Sequence, residues 1–243
     1  MVKALVVVPA YRESGRIGAL LDEVPACAAP GVDIRWLIVD DGSGPGEAAA
    51  LGVAVERRGL SARVSVLALP GHEGKGAALA AGFERGLAED AALIAFIDAD
   101  ASAKPSELAR ALARLVEKPE LSGVIGSRIL MLGRRVHRNA VRHYLGRLFA
   151  TFVSLSFDAP VYDTQCGLKA FRAQAVRRHL QAPTDLRWVW DTQLLLAMLA
   201  AGEPIEELPI DWTESPGSRL QLGDPLLMAW SLLRFKWSRR GSA

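Results

Sequence analysis

Asp98 and Asp100 flank a single alanine directly after the apolar run Leu93–Ile97. Two carboxylates at i and i+2 on an irregular turn can converge on a hard divalent cation such as Mg²⁺ or Mn²⁺, whose shell is commonly completed by substrate phosphates. A strand-end turn capped by Asp accounts for the same residues equally well. Asp40 and Asp41 form a second acidic pair, after the apolar run Trp36–Val39. An acid there can accept hydrogen bonds from a ribose hydroxyl or a base N–H, although Gly42-Ser43 is also ordinary turn chemistry. The turn Gly71-His72-Glu73-Gly74-Lys75-Gly76 fails the G-x-x-x-x-G-K-[ST] phosphate-loop pattern, because Gly76 takes the Ser/Thr place. A glycine-rich turn before a helix still brings Lys75 and backbone N–H groups near an anion. His72 stands alone and reads as a surface residue.

The elements that must position these groups alternate. Ala4–Val8 is a continuous β-branched run, as expected of a strand buried on both faces. A helix is expected from Ser14 to about Ala28, with Ile17, Leu20, Leu21 and Val24 at helical spacing. Strands follow at Trp36–Val39, Val64–Leu69 and Leu93–Ile97, with helices expected over Gly46–Arg57 and Ala77–Glu89 between them. Such alternation predicts an α/β fold, a mostly parallel Rossmann-like sheet with helices on both faces, whose ligands bind beyond the carboxyl ends of the strands. Every polar motif named above falls at such an end. After Pro105 the pattern predicts a helix (Ser106–Glu117), a strand (Gly123–Gly126) and a long Arg-rich helix (Arg138–Phe157). A short strand near Leu168–Phe171, a helix (Asp191–Ala201) and an extended segment (Ile205–Trp212) complete the order. The tail Leu226–Arg240 places Trp230, Leu233 and Trp237 at i, i+3 and i+7 with basic residues between them.

A chain of 243 residues without a visible linker reads as one domain, residues 1–225, carrying an amphipathic basic helix over 226–243. Half the residues are hydrophobic and 23 % are charged, which excludes extended disorder. The net charge of +2 is too small to call for a nucleic-acid partner. Cys27 and Cys166 provide neither a disulfide framework nor a metal cluster, which suits a reducing cytoplasm. No signal peptide is recognised, and no uninterrupted apolar stretch of about 18 residues is long enough to span a bilayer.

Taken in order, the motifs narrow the reading. Val8-Pro9-Ala10-Tyr11-Arg12-Glu13, Asp40-Asp41-Gly42-Ser43, Gly74-Lys75-Gly76-Ala77-Ala78 and Asp98-Ala99-Asp100 resemble the family 2 glycosyltransferases with the GT-A fold. Gly126-Ser127-Arg128, Asp163-Thr164-Gln165-Cys166-Gly167-Leu168-Lys169-Ala170-Phe171, Arg187-Trp188-Val189-Trp190-Asp191 and Ile210-Asp211-Trp212-Thr213-Glu214 with Gly217-Ser218-Arg219-Leu220 resemble the polyprenyl-phosphate sugar transferases. Among these the dolichyl-phosphate β-glucosyltransferases are the nearest group and the dolichyl-phosphate mannosyltransferases the next. The resemblance covers nearly the whole chain.

The resemblance implies an inverting, metal-dependent hexosyltransferase. Its donor would be UDP-glucose, or next GDP-mannose, and its acceptor a polyprenyl phosphate. It implies that Pro9, Tyr11, Glu13 and Asp41 hold the nucleoside with Lys75 close by. Asp98, Ala99 and Asp100 would line the diphosphate, and Asp98 and Asp100, completed by Ser102, would bind Mg²⁺ or Mn²⁺. Arg128, Arg138 and Arg142 match arginines that would grip the acceptor phosphate, a task suited to bidentate guanidinium pairing. Asp100, Arg128 and Asp191 are the candidate catalytic residues. Asp191 would be a general base toward a hydroxyl acceptor, or an orienting group toward an already ionised phosphate. The family pattern usually carries Glu where this chain has Gln193, which weighs against proton abstraction there. A soluble hydroxyl acceptor and a non-catalytic nucleotide-sugar-binding protein are the two alternatives. The chain is expected in the cytoplasm, resting peripherally on the inner membrane face through its tail.

Overall fold

The structure, a computed structural model, describes residues 1–137, 140–215 and 224–240. Arg138, the side chain of Arg142 and the Gly217-Ser218-Arg219-Leu220 motif lie outside the described residues.

The chain opens with β1 (Val2–Ala10), whose alternate side chains enter two different cores. Ala4, Val6 and Val8 pack on one side of the sheet, and Leu5 and Val7 on the other. Helix α1 (Gly18–Glu23) is shorter than the expected Ser14–Ala28. The main chain of Glu13 instead caps a turn, accepting from Arg16 N and Ile17 N, and Pro25 ends the helix in a 3₁₀ turn over Val24–Ala26. Then follow β2 (Val32–Asp40), α2 (Pro45–Glu56), β3 (Val64–Ala68), α3 (Lys75–Ala88), β4 (Leu93–Ile97), α4 (Pro105–Glu117) and β5 (Gly123–Ser127), each within a few residues of its expected span. The second half holds β6 (Val136–His137), α5 (Ala140–Phe157), β7 (Leu168–Arg172), α6 (Ala173–His179), α7 (Trp190–Ala200), β8 (Ile205–Pro209), β9 (Trp212–Thr213) and α8 (Asp224–Arg240).

Seven strands form one sheet in the order β3-β2-β1-β4-β7-β5-β8. All neighbours are parallel except β7, which runs antiparallel between β4 and β5. This reversal is what builds the site. With Ile97 opposite Leu168, the segment leading into β7 arrives at the carboxyl end of β4, and Asp98 N donates to Gly167 O at 3.0 Å. The expected extended segment Ile205–Trp212 breaks at Ile210-Asp211. Its first part joins β5 as β8, and Trp212-Thr213 crosses to pair with β6.

Helices α1, α2 and α4 cover one face through Leu20, Leu51, Leu108 and Leu112. Helices α3, α6 and α7 cover the other through Leu79, Phe83, Val176 and Leu194. A third cluster joins Val153 of α5 and Leu196 of α7 to Met228, Leu232 and Phe235 of α8. One stripe of α8 is thus bound to the domain. Trp230 and Trp237, on another stripe, are exposed and meet edge to face at 5.8 Å.

Candidate active site

The loops at the carboxyl edge of the sheet enclose a cleft of ≈ 980 Å³. Its first half draws Pro9, Tyr11 and Glu13 from the end of β1, Asp41 from β2, His72–Lys75 from the turn before α3, and Asp98, Ala99, Asp100 and Ser102 from the segment after β4. Asp41 is buried, and its carboxylate holds the turn before α3. Oδ1 accepts from Glu73 N at 3.0 Å, while Oδ2 accepts from Gly74 N at 2.8 Å and lies 2.7 Å from His72 Nδ1. Glu13 is also buried and forms an ion pair with Arg16 at 2.7 Å.

Gly74 begins α3 at φ +126°, and a Cβ on it would lie 2.6 Å from Leu186 O, so no other residue fits there. Two of the first N–H groups of α3 are engaged by the main chain before the next helix. Gly76 N donates to Arg187 O and Ala77 N to Leu186 O. An anion-attracting group of this turn is the Lys75 side chain, whose Nζ lies 2.6 Å from Asp98 Oδ1. Burial disfavours the Lys75 ammonium, but Asp98 and Asp191 outweigh it and raise its pKa above the ordinary lysine value. The Asp98 carboxyl is also raised, chiefly by burial and further by Asp100, against the opposing charge of Lys75. Its carboxylate lies against Gly167, where a Cβ would come within 1.9 Å of Oδ2. That close approach explains a glycine at this point of the segment before β7.

Asp100 Oδ1 accepts from Ser102 N at 2.9 Å, closing a tight turn with Ala101 at φ 57°. The Ser102 hydroxyl in turn accepts from Ser215 N at 3.2 Å. Two hard oxygen donors thus face one cleft beside a lysine. No group of three or more candidate ligands occurs among the described residues. Such a donor set suits Mg²⁺ or Mn²⁺ whose remaining positions are filled by a diphosphate and water, and does not suit a closed structural metal site.

The second half of the cleft is lined by Arg128, Arg147, Arg187, Tyr162, Asp163 and Trp212. Arg128, after β5, grips Asp163 through Nε at 2.6 Å and Nη2 at 2.8 Å, and its guanidinium lies 5.0 Å from the Trp212 ring centre. Burial would raise the Asp163 pKa, but the charge and hydrogen bonds of Arg128 hold it down at about 2. The pair's stabilising contribution is therefore complete above the ordinary Asp value of about 3.9 and fades only as pH falls toward 2. Arg147 lies over the Tyr162 ring at 3.6 Å. Neither Arg147 nor Arg187 is singled out as a phosphate ligand by its sequence position; both enter the cleft through tertiary packing.

Asp191 occupies the first turn of α7 and is buried against the ammonium of Lys169, itself fully buried. It is not among the residues lining the cleft, although its charge reaches Lys75 and Asp98. This burial against Lys169 fits an orienting role for Asp191 better than that of a general base, which needs a carboxylate within reach of the acceptor. Gln193 is fully buried. Its Oε1 accepts from Thr184 N and Asp185 N, and its Nε2 lies 3.4 Å from Ser231 Oγ of α8. Lys169 is the buried side chain that sequence reasoning missed, whereas His72 is exposed, as expected, and stacks on Tyr11.

Residues 5–180 match the family model of glycosyl transferase family 2. A dolichyl-phosphate beta-glucosyltransferase of Trichomonas vaginalis is 30 % identical over 238 residues, covering 94 % of this chain and 69 % of its own. The Saccharomyces cerevisiae protein of the same name is 30 % identical over 94 % of this chain and 72 % of its own, and the Homo sapiens one 29 % identical over 91 % and 73 %. Among solved structures, glucosyl-3-phosphoglycerate synthase from Mycobacterium tuberculosis, in complex with Mn²⁺, uridine diphosphate and glucosyl-3-phosphoglycerate, superposes with a TM-score of 0.73. It is 17 % identical and covers 98 % of this chain and 80 % of that one. The protein is a glycosyltransferase with the GT-A fold. It belongs to glycosyl transferase family 2, and the three relatives named above are dolichyl-phosphate beta-glucosyltransferases.

Proposed function

We propose that the protein transfers glucose, with inversion, from UDP-glucose to a polyprenyl phosphate, with mannose from GDP-mannose as the second donor. The observation that carries this reading is the division of one cleft. Its carboxylate-and-lysine half, Asp98, Asp100 and Lys75, adjoins an arginine-lined half, Arg128, Arg147 and Arg187.

In this reading Pro9, Tyr11, Glu13 and Asp41 form the nucleoside end, and Asp98 and Asp100 hold Mg²⁺ or Mn²⁺. When bound, that ion supplies Lewis-acid stabilisation of the charge developing on the departing diphosphate. Lys75 adds a second positive charge on the same side. An acceptor phosphate is ionised at neutral pH, so the chain needs to orient it rather than deprotonate it. The cleft arginines can orient it, with Arg128 fixed by Asp163 and Arg147 by Tyr162. Arg138 and Arg142 are proposed to contribute to the same grip. Asp191, held by Lys169, acts behind the wall by favouring the charged Lys75 ammonium that pairs with Asp98. Attack in line with the departing diphosphate inverts the anomeric centre, and positioning and electrostatics are the main rate terms.

The test is radiolabelled UDP-glucose and GDP-mannose offered with undecaprenyl phosphate, or with 3-phosphoglycerate, in Mg²⁺ or Mn²⁺. Labelled lipid of β configuration from UDP-glucose is the expected product. Transfer only to 3-phosphoglycerate would replace the acceptor. Tight nucleotide binding without any product would mean a non-catalytic binding protein.

Peripheral membrane contact belongs to the same reading. No helix is long and apolar enough to cross a membrane among the described residues. Leu148 and Leu155 of α5, Leu226, Leu227, Trp230 and Trp237 of α8, and the Leu130-Met131-Leu132 segment are exposed apolar side chains, with Arg234 and Arg239 exposed among those of α8. Such a surface suits a bilayer interface with anionic head groups. Removing α8 would take Met228, Leu232 and Phe235 out of the third cluster and uncover Val153 and Leu196, so truncation is a poor test. The double substitution Trp230→Ser with Trp237→Ser leaves that packing alone. It is expected to cut flotation on phosphatidylglycerol-containing liposomes several-fold, and equal flotation would remove α8 from the contact.

A further inference from the structure

The turn before α3 contains a group that the proposed function does not use. His72 lines the cleft, and half of its side chain is exposed. One face of its ring is stacked on Tyr11, centroids 3.9 Å apart and planes 20° from parallel. Nδ1 lies 2.7 Å from Asp41 Oδ2. The ring is therefore held at one face and one nitrogen, with Nε2 left for a ligand.

Asp41 is less suited to meet a ligand directly. It is 2 % exposed, its main-chain N–H donates to Ala10 O at 2.8 Å, and its two oxygens already serve Glu73 N, Gly74 N and the imidazole. An ionised carboxylate is an acceptor only, so Nδ1 carries the proton in the contact with Asp41. In a neutral imidazole the nitrogen opposite such a bond is then a bare acceptor. The main chain of Glu73 and Gly74, pinned by the same carboxylate, fixes where that acceptor sits.

We propose that His72 Nε2 reads the edge of the donor nucleobase as a hydrogen-bond acceptor, with Asp41 as its positioning residue. An acceptor at this point pairs with a base whose edge carries a ring N–H, as uracil (N3–H) and guanine (N1–H) do. Cytosine N3 and adenine N1 present a lone pair there and are rejected, because two facing acceptors leave both unpaired. The inference rests on the nucleoside-diphosphate donor of the proposed function and sharpens it. Base selection between the imide or lactam class and the amino class lies in one half-exposed histidine, while UDP and GDP are separated by the size of the pocket.

The experiment is calorimetric titration of the full chain with UDP, CDP, GDP and ADP in Mn²⁺ at about pH 8, for wild type, His72→Ala and His72→Gln. The wild type is expected to bind UDP about tenfold or more tightly than CDP, the worth of one hydrogen bond against one unpaired acceptor. His72→Ala is expected to bring the UDP:CDP ratio close to one by weakening UDP selectively. His72→Gln, whose amide can donate to Asp41 and accept from the base, is expected to restore part of the ratio. A ring that merely props Tyr11 would weaken UDP and CDP equally on substitution, and that result would overturn the proposal. CDP bound more tightly than UDP by the wild type would indicate a donating Nε2 and would also overturn it. A wild type that binds no nucleoside diphosphate would instead sink the donor reading itself.

Discussion

Asp100→Asn is expected to abolish glycosyl transfer while leaving the protein folded. The side chain has two tasks that the substitution separates. Its Oδ1 accepts from Ser102 N at 2.9 Å and so closes the turn that holds Ala101 at φ 57°. Asparagine keeps that acceptor at the same position, so the turn and the β4 core beneath it should survive. What is lost is the charge. Asp98 is already paired with Lys75 at 2.6 Å, so Asp100 is the carboxylate with more of its charge left for a cation. A bound Mg²⁺ or Mn²⁺ is worth several kcal/mol of transition-state stabilisation, so turnover should fall on the order of 10³-fold or more. The measurements are kcat with radiolabelled UDP-glucose, and the thermal midpoint, which should stay within about 2 °C of wild type. Near-normal turnover would sink the metal assignment. A large loss of stability would mean that Asp100 acts through the turn instead.

The two aspartates were legible because they combine a local cue with a fold-level rule. A buried strand that runs directly into Asp-x-Asp, in a chain of alternating strands and helices, places its carboxylates at the edge where such sheets bind ligands. Lys75 was legible for the same reason. The sequence could not show that β7 runs backwards, since a short segment such as Leu168–Phe171 looks the same in either direction. Yet that reversal brings Gly167 against Asp98 and carries Asp163 to Arg128. The surface position of His72 was legible, but not its contacts with Tyr11 and Asp41, which lie 61 and 31 residues away and leave no local pattern. The helix α8 was legible as amphipathic, but not that one stripe binds the domain while the tryptophans stay exposed. Phosphate binding by the first N–H groups of α3 was a reasonable expectation from glycine content. What glycine content could not show is that the main chain at Leu186 and Arg187 engages two of those donors, Gly76 N and Ala77 N.

Lys169→Met should have the largest effect on stability of any single substitution outside the apolar core. The Lys169 side chain is fully buried, and its ammonium donates to Cys166 O at 2.8 Å and to Asp191, 5.2 Å from the centre of the Phe96 ring. Methionine fills much the same space, so the loss is not one of packing. It leaves Asp191 as a buried carboxylate without its partner, which costs about 3–5 kcal/mol. At about 2–4 °C per kcal/mol for a chain of this size, the thermal midpoint should fall by roughly 6–20 °C. Adding Asp191→Leu to Lys169→Met removes the stranded charge and should recover most of the stability, since an apolar replacement of a whole buried pair is often neutral. Turnover should not recover with it. The double variant lacks the Asp191 charge that acts on Lys75 and Asp98, so a stable protein with normal kcat would refute the positioning role assigned to the pair. A Lys169→Met protein as stable as wild type would refute the buried ion pair itself.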